Sequence, residues 1–333
     1  MGKAIALLSG GLDSTLAILI MRRQGIGIEA IKFLTPFDCA VSDGASPLRD
    51  PSAVAAKYDF HVRTCRLGEQ FIEMVRNPSH GYGKNMNPCI DCRILMLREA
   101  KELLAEVEAD FIVTGEVLGQ RPMSQRKEIL YHIDKEAGVP GLVMRPLSAH
   151  LLKITLPEAR GVVDREKLYG FSGRSRKPQM ALAEEFGLTD YPAPAGGCLL
   201  TEQNYARKLR DLLLHSPFPA RREIDLLRTG RHFRFSPECK IIVGRDATEN
   251  SVIESLSSDH DCIMKVEAAG SPTTLVTGKL SDEALKTAAG ICARYSDAKH
   301  LPEVEVTITK EGMTVRMKVS PAGRETLERL RIS

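Results

Sequence analysis

The 333-residue chain predicts an α/β fold: a parallel sheet wrapped by helices over residues 1–150, a helical connecting region over 151–229, and a small α+β domain over 230–333. Three observations carry this. Short apolar runs alternate with helix-period segments through the first half, Pro- and Gly-punctuated helices replace them after Leu151, and strand-like patterns dominate after Arg231.

In the first part, KAIALL (Lys3 to Leu8), IEAIKFL (Ile28 to Leu34), HVRTCRL (His61 to Leu67) and FIVTG (Phe111 to Gly115) read as buried strands. Helices are expected at about Asp13 to Arg23, Ser52 to Tyr58 and Asp91 to Val107. That order implies a parallel, Rossmann-like sheet with ligands beyond the carboxyl ends of its strands. In the second part, short helical segments such as RSRKPQMALAEEFG and NYARKLRDLLLH are separated by clusters such as YPAPAGG. In the third, HFRF, CKIIVG, DCIMKVEA and TTLVTG read as strands, followed by a helix from about Asp282 to Tyr295 and a hairpin, EVEVTITKEGMTVRMKV.

No charged-then-apolar leader is seen, and charge interrupts every apolar segment before it could cross a bilayer, so a soluble, cytoplasmic protein without membrane partners is expected. In that compartment the eight cysteines stay reduced, which favours metal binding or catalysis for any that cluster. Cys65, Cys262 and Cys292 sit in apolar patterns and are expected as small buried hydrophobes; structural roles are also favoured for Cys39 and Cys239. The net charge of +3 is uneven, with 20 Lys and Arg against 13 Asp and Glu between Gln120 and Phe235. That excess is either a solvated face or a groove for a polyanion.

After the first strand come Ser9, Gly10, Gly11, Leu12, Asp13, Ser14 and Thr15, leading directly into a helix. Consecutive glycines let backbone approach phosphate, the helix start offers unpaired N–H groups, and the hydroxyls add donors. The competing reading is an ordinary glycine turn. No lysine follows in the P-loop manner, so charge on a pyrophosphate falls to the helix end and a bound Mg²⁺, for which Asp13 is the nearby carboxylate. SGGLDS at this place resembles the PP-loop ATP pyrophosphatases, which cleave ATP between the α and β phosphates to adenylate a carbonyl oxygen. The resemblance implies an ATP-binding catalytic domain, with Phe33 in the second strand also counted among the nucleotide contacts. VTGEVLGQRPMSQ (Val113 to Gln125) resembles a segment of the tRNA 4-thiouridine synthetases, adding Gly115, for close approach, and Gln120, for adenine or ribose. VMRPLSA resembles the strand that follows in that group, which makes Arg145 a candidate phosphate or RNA contact; a buried structural arginine is the alternative.

NPCIDCR, with Cys89 and Cys92, resembles the helix start that carries a catalytic cysteine in the tRNA 2-thiouridine synthetases, and PAPAGGCLL resembles the segment of their second one, here Cys198. Cys92 and Cys198 are thus candidate catalytic thiols alongside Asp13. A thiol at a helix start suits nucleophile and ligand alike, and Gly196 and Gly197 let the loop of Cys198 approach another backbone. Thiolases with such a trio hold a [4Fe-4S] cluster with one iron open, so Cys89, Cys92 and Cys198 are the implied ligands, with Cys39 the nearest candidate for a fourth. The alternatives are a persulfide on Cys198 with Cys92 closing a disulfide, and zinc or a purely structural role.

CKIIVGRDATEN, DCIMKVEAAGSP and LSDEALKTAAGICARYS resemble the NFACT RNA-binding domain, which implies RNA contact through Arg245 and Ser271. A helix cap at Asp246 and a turn over Gly270 to Pro272 are the structural alternatives. Together the resemblances imply ATP-dependent thiolation of a tRNA uridine, with an external sulfur donor (a cysteine desulfurase or free sulfide) and a possible homodimer. Two rivals stand beside it: a PP-loop amide or small-molecule synthetase with a structural metal site, and a non-catalytic RNA-binding factor.

Overall fold

The computed structural model describes residues 2–37, 51–191 and 198–332; Cys39, Gly196 and Gly197 lie outside them. Two compact units divide the chain, Met1–Thr201 and Glu202–Ser333.

The first unit runs β1 (Lys3–Leu7), α1 (Leu12–Arg23), β2 (Gly27–Leu34), α2 (Pro51–Lys57), β3 (His61–Arg66), α3 (Glu69–Arg76), α4 (Cys89–Glu106), β4 (Phe111–Thr114), α5 (Lys127–Glu136), β5 (Val143–Met144), α6 (Leu156–Ala159) and α7 (Lys177–Glu185). The strands form one sheet in the order β3-β2-β1-β4-β5, all parallel. Side-chain alternation along a strand gives this sheet two cores. Ala4 and Ala6 pack with Leu16, Ile18 and Ile20 of α1 and Leu182 of α7, whereas Ile5 and Leu7 pack with Ile94 and Leu97 of α4 and Ile133 of α5. Helix α1 is buried almost all round, as a helix between a sheet and a second helix must be. Each such side chain withdrawn from water contributes about 1.5–3 kcal/mol. Strand order reverses beside β1, so the crevice between the carboxyl ends of β1 and β4 is where the topology places a ligand.

The expected strands and the α/β class are observed, with two local differences. Helix α4 begins at Cys89 rather than Asp91, so both thiols lie inside its first turn. Helices α3 and α5 are additional; α3 is only eight residues long and buries Phe71 and Val75.

The second unit runs α8 (Gln203–His215), α9 (Arg221–Leu226), β6 (Arg231–Ser236), β7 (Cys239–Val243), α10 (Ala247–Ser255), β8 (Cys262–Lys265), β9 (Thr274–Gly278), α11 (Asp282–Tyr295), β10 (Val304–Lys310), β11 (Met313–Val319) and α12 (Arg324–Leu330). Its sheet has the order β11-β10-β8-β9-β7-β6 and every pair is antiparallel. One face buries α11 through Ala284, Ala288 and Ile291, and Cys239, Cys262 and Cys292 lie in the same core as small apolar side chains. Burial raises the Cys262 thiol to about 11, so it stays protonated at neutral pH. Among the described residues, no helix is long and apolar enough to cross a membrane.

Candidate active site

The glycine loop stands at the carboxyl end of β1. Gly10 takes a left-handed φ of 74°, which a residue without Cβ adopts freely, and Gly11 is the extended N-cap of α1. The hydroxyls expected to face phosphate instead hold the loop together. Ser14 Oγ donates to the Gly11 carbonyl at 2.9 Å and accepts the Ser9 N–H at 3.2 Å, while Thr15 Oγ1 donates to the same carbonyl at 3.2 Å. What the loop leaves to offer an anion is its backbone and the helix end. Gly115 closes the other side: a Cβ there would stand 2.4 Å from Ser14 N and 2.6 Å from Asp13 O, so only glycine lets the end of β4 meet the loop.

Asp13 Oδ2 accepts from Gln120 Nε2 at 3.0 Å, whereas its buried Oδ1 has no partner among the described residues. An orphaned carboxylate oxygen beside an anion cradle fits a hard divalent cation such as Mg²⁺. Gln120, expected on adenine or ribose, instead orients this carboxylate. Phe33 lies near the end of β2 and packs, half-buried, on the α4 side of the sheet.

The segment after Gly115 leads from the nucleotide loop to the thiols. Glu116 is buried; its Oε2 accepts from Thr114 Oγ1 at 3.1 Å and Arg145 Nε at 2.9 Å, and Arg93 Nε lies 3.4 Å from its Oε1. Burial alone would raise this carboxyl, but the Arg145 and Arg93 guanidinium groups outweigh it and hold Glu116 below the ordinary carboxylate range. Arg93 follows Cys92, so Glu116 ties the thiol turn of α4 to the end of β4. Neither residue was singled out from sequence; the TGE triplet is the one signal that could have found Glu116.

Cys89 and Cys92 are three apart in the first turn of α4 and so share a face of the helix. Cys89 Sγ donates to Asn87 Oδ1 at 2.8 Å, and Asn87 Nδ2 donates to Cys198 Sγ at 3.4 Å. The buried Asn87 amide thus joins two thiols 109 positions apart, with the backbone tied by Met86 N to Leu200 O at 3.1 Å. Burial raises the Cys89 thiol, against the opposing charges of Arg121 and Arg93. Cys198 is exposed and Cys92 half-buried. Among the described residues, no three His, Cys, Asp or Glu side chains converge to hold a metal ion. A single zinc requires such convergence, at about 2.3 Å from each sulfur. Cys89 and Cys198, joined through the Asn87 amide, and Cys92 in the same helix turn as Cys89 are soft thiol donors of the type that hold an iron–sulfur cluster.

Arg145 corrects the sequence expectation. It is 3% exposed and spends its guanidinium on Glu116 at 2.9 Å and on both oxygens of Asp134 at 2.8 and 2.7 Å, so it is a structural ion pair rather than an RNA contact. Burial, first of all, raises Asp134, with Arg145 pulling against it. In the second unit Ser271 is likewise spent internally: its Oγ accepts from Val266 N at 2.8 Å and donates to Pro272 O at 2.9 Å. Arg245 is exposed but chelates Glu249, with Nε 2.8 Å from Oε1, and Asp246 caps α10 by accepting Glu249 N at 2.9 Å.

Residues 1–151 match the family model of the thiamine biosynthesis protein (ThiI), and residues 230–331 match that of the NFACT protein RNA binding domain. A probable tRNA sulfurtransferase of Methanosarcina acetivorans is 32% identical over 127 residues, covering 36% of this chain and 28% of that one. One from Ureaplasma parvum serovar 3 is 29% identical over 159 residues, covering 45% and 37%. The chain thus spans about a third of the length of the curated relatives it matches. Among solved structures, a 4-thiouridine synthetase–RNA complex with bound ATP aligns at 24% identity with a TM-score of 0.36, covering 57% of this chain and 54% of that one.

Proposed function

We propose that the protein is an ATP-dependent tRNA uridine thiolase, in which residues 1–150 bind and cleave ATP, 151–229 bring in Cys198, and 230–333 contact RNA. The observation that carries this is the segment Gly115 to Arg121. It meets the nucleotide loop through Gly115 and Gln120, and it meets the thiol turn through Glu116, with the Arg121 charge acting on Cys89. The two family matches support the same reading.

The loop backbone from Ser9 to Asp13 holds the phosphates, and Asp13 would hold Mg²⁺, which supplies positive charge to the departing pyrophosphate. The uridine carbonyl oxygen attacks the α-phosphorus, and the bond to pyrophosphate breaks. Sulfur then attacks the activated carbon, and the carbon–oxygen bond breaks as AMP leaves with that oxygen. With hydrosulfide as donor, one proton goes to solvent and no electrons are exchanged. Cys89, Cys92 and Cys198 would hold a [4Fe-4S] cluster, which when bound supplies an open iron position for the incoming sulfur. The exposure of Cys198 favours a second route, in which an external desulfurase loads it with a persulfide. The outer persulfide sulfur attacks the activated carbon as AMP leaves; Cys92 then attacks Cys198 Sγ, breaking its bond to the transferred sulfur and closing a disulfide, which an external dithiol reopens with two electrons.

The test is reconstitution with unmodified tRNA, ATP, Mg²⁺ and sulfide. The proposal predicts one AMP and one pyrophosphate per thionucleoside. Pyrophosphate release that depends on a small amine or acid and ignores RNA supports the synthetase reading; RNA binding without any turnover supports the non-catalytic one.

A further inference from the structure

Two glycine turns face each other beside the nucleotide loop. Gly119, with φ of 73°, and Gly173, with φ of 81°, lie so close that a Cβ on Gly119 would stand 3.6 Å from Gly173 N. The turns are tied by the Gly173 N–H donating to Leu118 O at 2.7 Å and by the Leu118–Ser172 bridge. Their flanks carry unusual charge. No Asp or Glu occurs from 117 to 127 or from 167 to 183, yet Arg121, Arg174, Arg176 and Lys177 all fall in these stretches. Many cations of this unit find carboxylates within 4.0 Å, Arg22, Arg23, Arg63 and Arg165 among them. The side chains of Arg121, Arg174, Arg176 and Lys177 have no such ion pair among the described residues, and Arg121, Arg174 and Lys177 are exposed. The first turn of α7 also holds Gln179, fully buried with neither amide atom partnered among the described residues.

We infer that this paired-turn rim binds RNA backbone phosphates flanking the reacting uridine, an inference that rests on the thiolase reading. Its position follows from Gln120, one residue beyond Gly119, which bonds Asp13 of the nucleotide loop at 3.0 Å. A uridine placed between nucleotide and thiols must be turned out of its stack, which leaves its own backbone on the surface beside that crevice. Unpaired cations there offset phosphate repulsion and release counterions, which sets the chemistry of the ligand as a nucleic-acid single strand. Arg174, Arg176 and Lys177 are the contacts to remove, because Arg121 adjoins Gln120, which holds Asp13 of the nucleotide loop.

The test is tRNA affinity measured across a salt series for the wild type and for a triple variant, Arg174→Ala, Arg176→Ala and Lys177→Ala, alongside ATP affinity and melting temperature. A slope of about −0.7 per single-strand phosphate contact makes three contacts worth roughly 50-fold at about 0.15 M salt. The triple variant is expected to bind tRNA about that much more weakly, with a salt slope shallower by about 2, while ATP affinity and melting stay unchanged. A double variant, Arg174→Lys with Arg176→Lys, keeps the charge and is expected to keep the slope. Unchanged tRNA affinity in the triple variant overturns the rim. Loss of ATP affinity with tRNA binding intact overturns it too, by assigning the cations to the nucleotide's own phosphates. A wild type that binds tRNA with the expected slope but never thiolates it sinks the thiolase reading and leaves the rim standing.

Discussion

Replacing Arg145 by methionine separates a structural arginine from an RNA-binding one. The guanidinium is 3% exposed and satisfies two buried carboxylates, Asp134 through both of its oxygens and Glu116 through one. Methionine fills similar space but leaves Asp134 unpaired and Glu116 with Arg93 alone, and breaking such a pair from one side costs about 3–5 kcal/mol. For a unit the size of Met1–Thr201 this lowers the melting temperature by roughly 10–15 °C. The penalty depends on pH. In the wild type, Glu116 is held below its ordinary range, so its stabilisation is present above the unfolded value and is lost as pH falls through the folded one. In the variant both carboxyls lose the Arg145 charge and rise, Asp134 the more because Glu116 keeps Arg93, so the gap to wild type narrows as pH falls from 7 toward 5 and they protonate. Thermal unfolding followed by near-ultraviolet circular dichroism across that range reads the effect. A variant that melts with the wild type at pH 7 but binds tRNA weakly would refute the structural assignment.

Three further outcomes are expected. Gly115→Ala forces backbone apart between β4 and the nucleotide loop and should weaken ATP binding roughly 5- to 100-fold by calorimetry, the equivalent of about 1–3 kcal/mol of overpacking, whereas Gly68→Ala, with nothing within 4 Å of its Cβ, should not. Ser271→Ala removes the acceptor of Val266 N and should destabilise the second unit by about 1–3 kcal/mol in denaturant unfolding; an RNA-affinity loss without destabilisation would restore the sequence expectation. Cys89→Ala should abolish iron binding and activity if the trio holds a cluster, measured by iron and sulfide analysis after anaerobic purification. Full activity of a colourless Cys89→Ala protein would instead establish the persulfide route.

The legibility of this molecule tracks the range of the interactions. The parallel sheet could be read because its strands are short uninterrupted apolar runs, and the glycine loop because its chemistry lies within seven adjacent residues. The six antiparallel strands of the second unit were likewise visible in local pattern. The sequence leaves Arg145 open between an RNA contact and a buried structural arginine because its two carboxylate partners come from β4's end and from α5, and an arginine in an apolar run looks the same whether it is paired inside or offered outside. Asn87, Arg93 and Glu116 were missed for a related reason: each acts by joining segments distant in the chain, and no local pattern records that. Ser14 and Thr15 were assigned to phosphate on residue type, while the turn geometry directs their hydroxyls onto Gly11.

The central claim, that this chain thiolates tRNA uridine, is tested most directly by nucleoside mass spectrometry of total tRNA from a strain lacking it. Loss of one thiolated uridine, restored by the wild-type chain but not by Cys92→Ala, is the predicted result. An unchanged thionucleoside profile in the deletion strain would contradict the account.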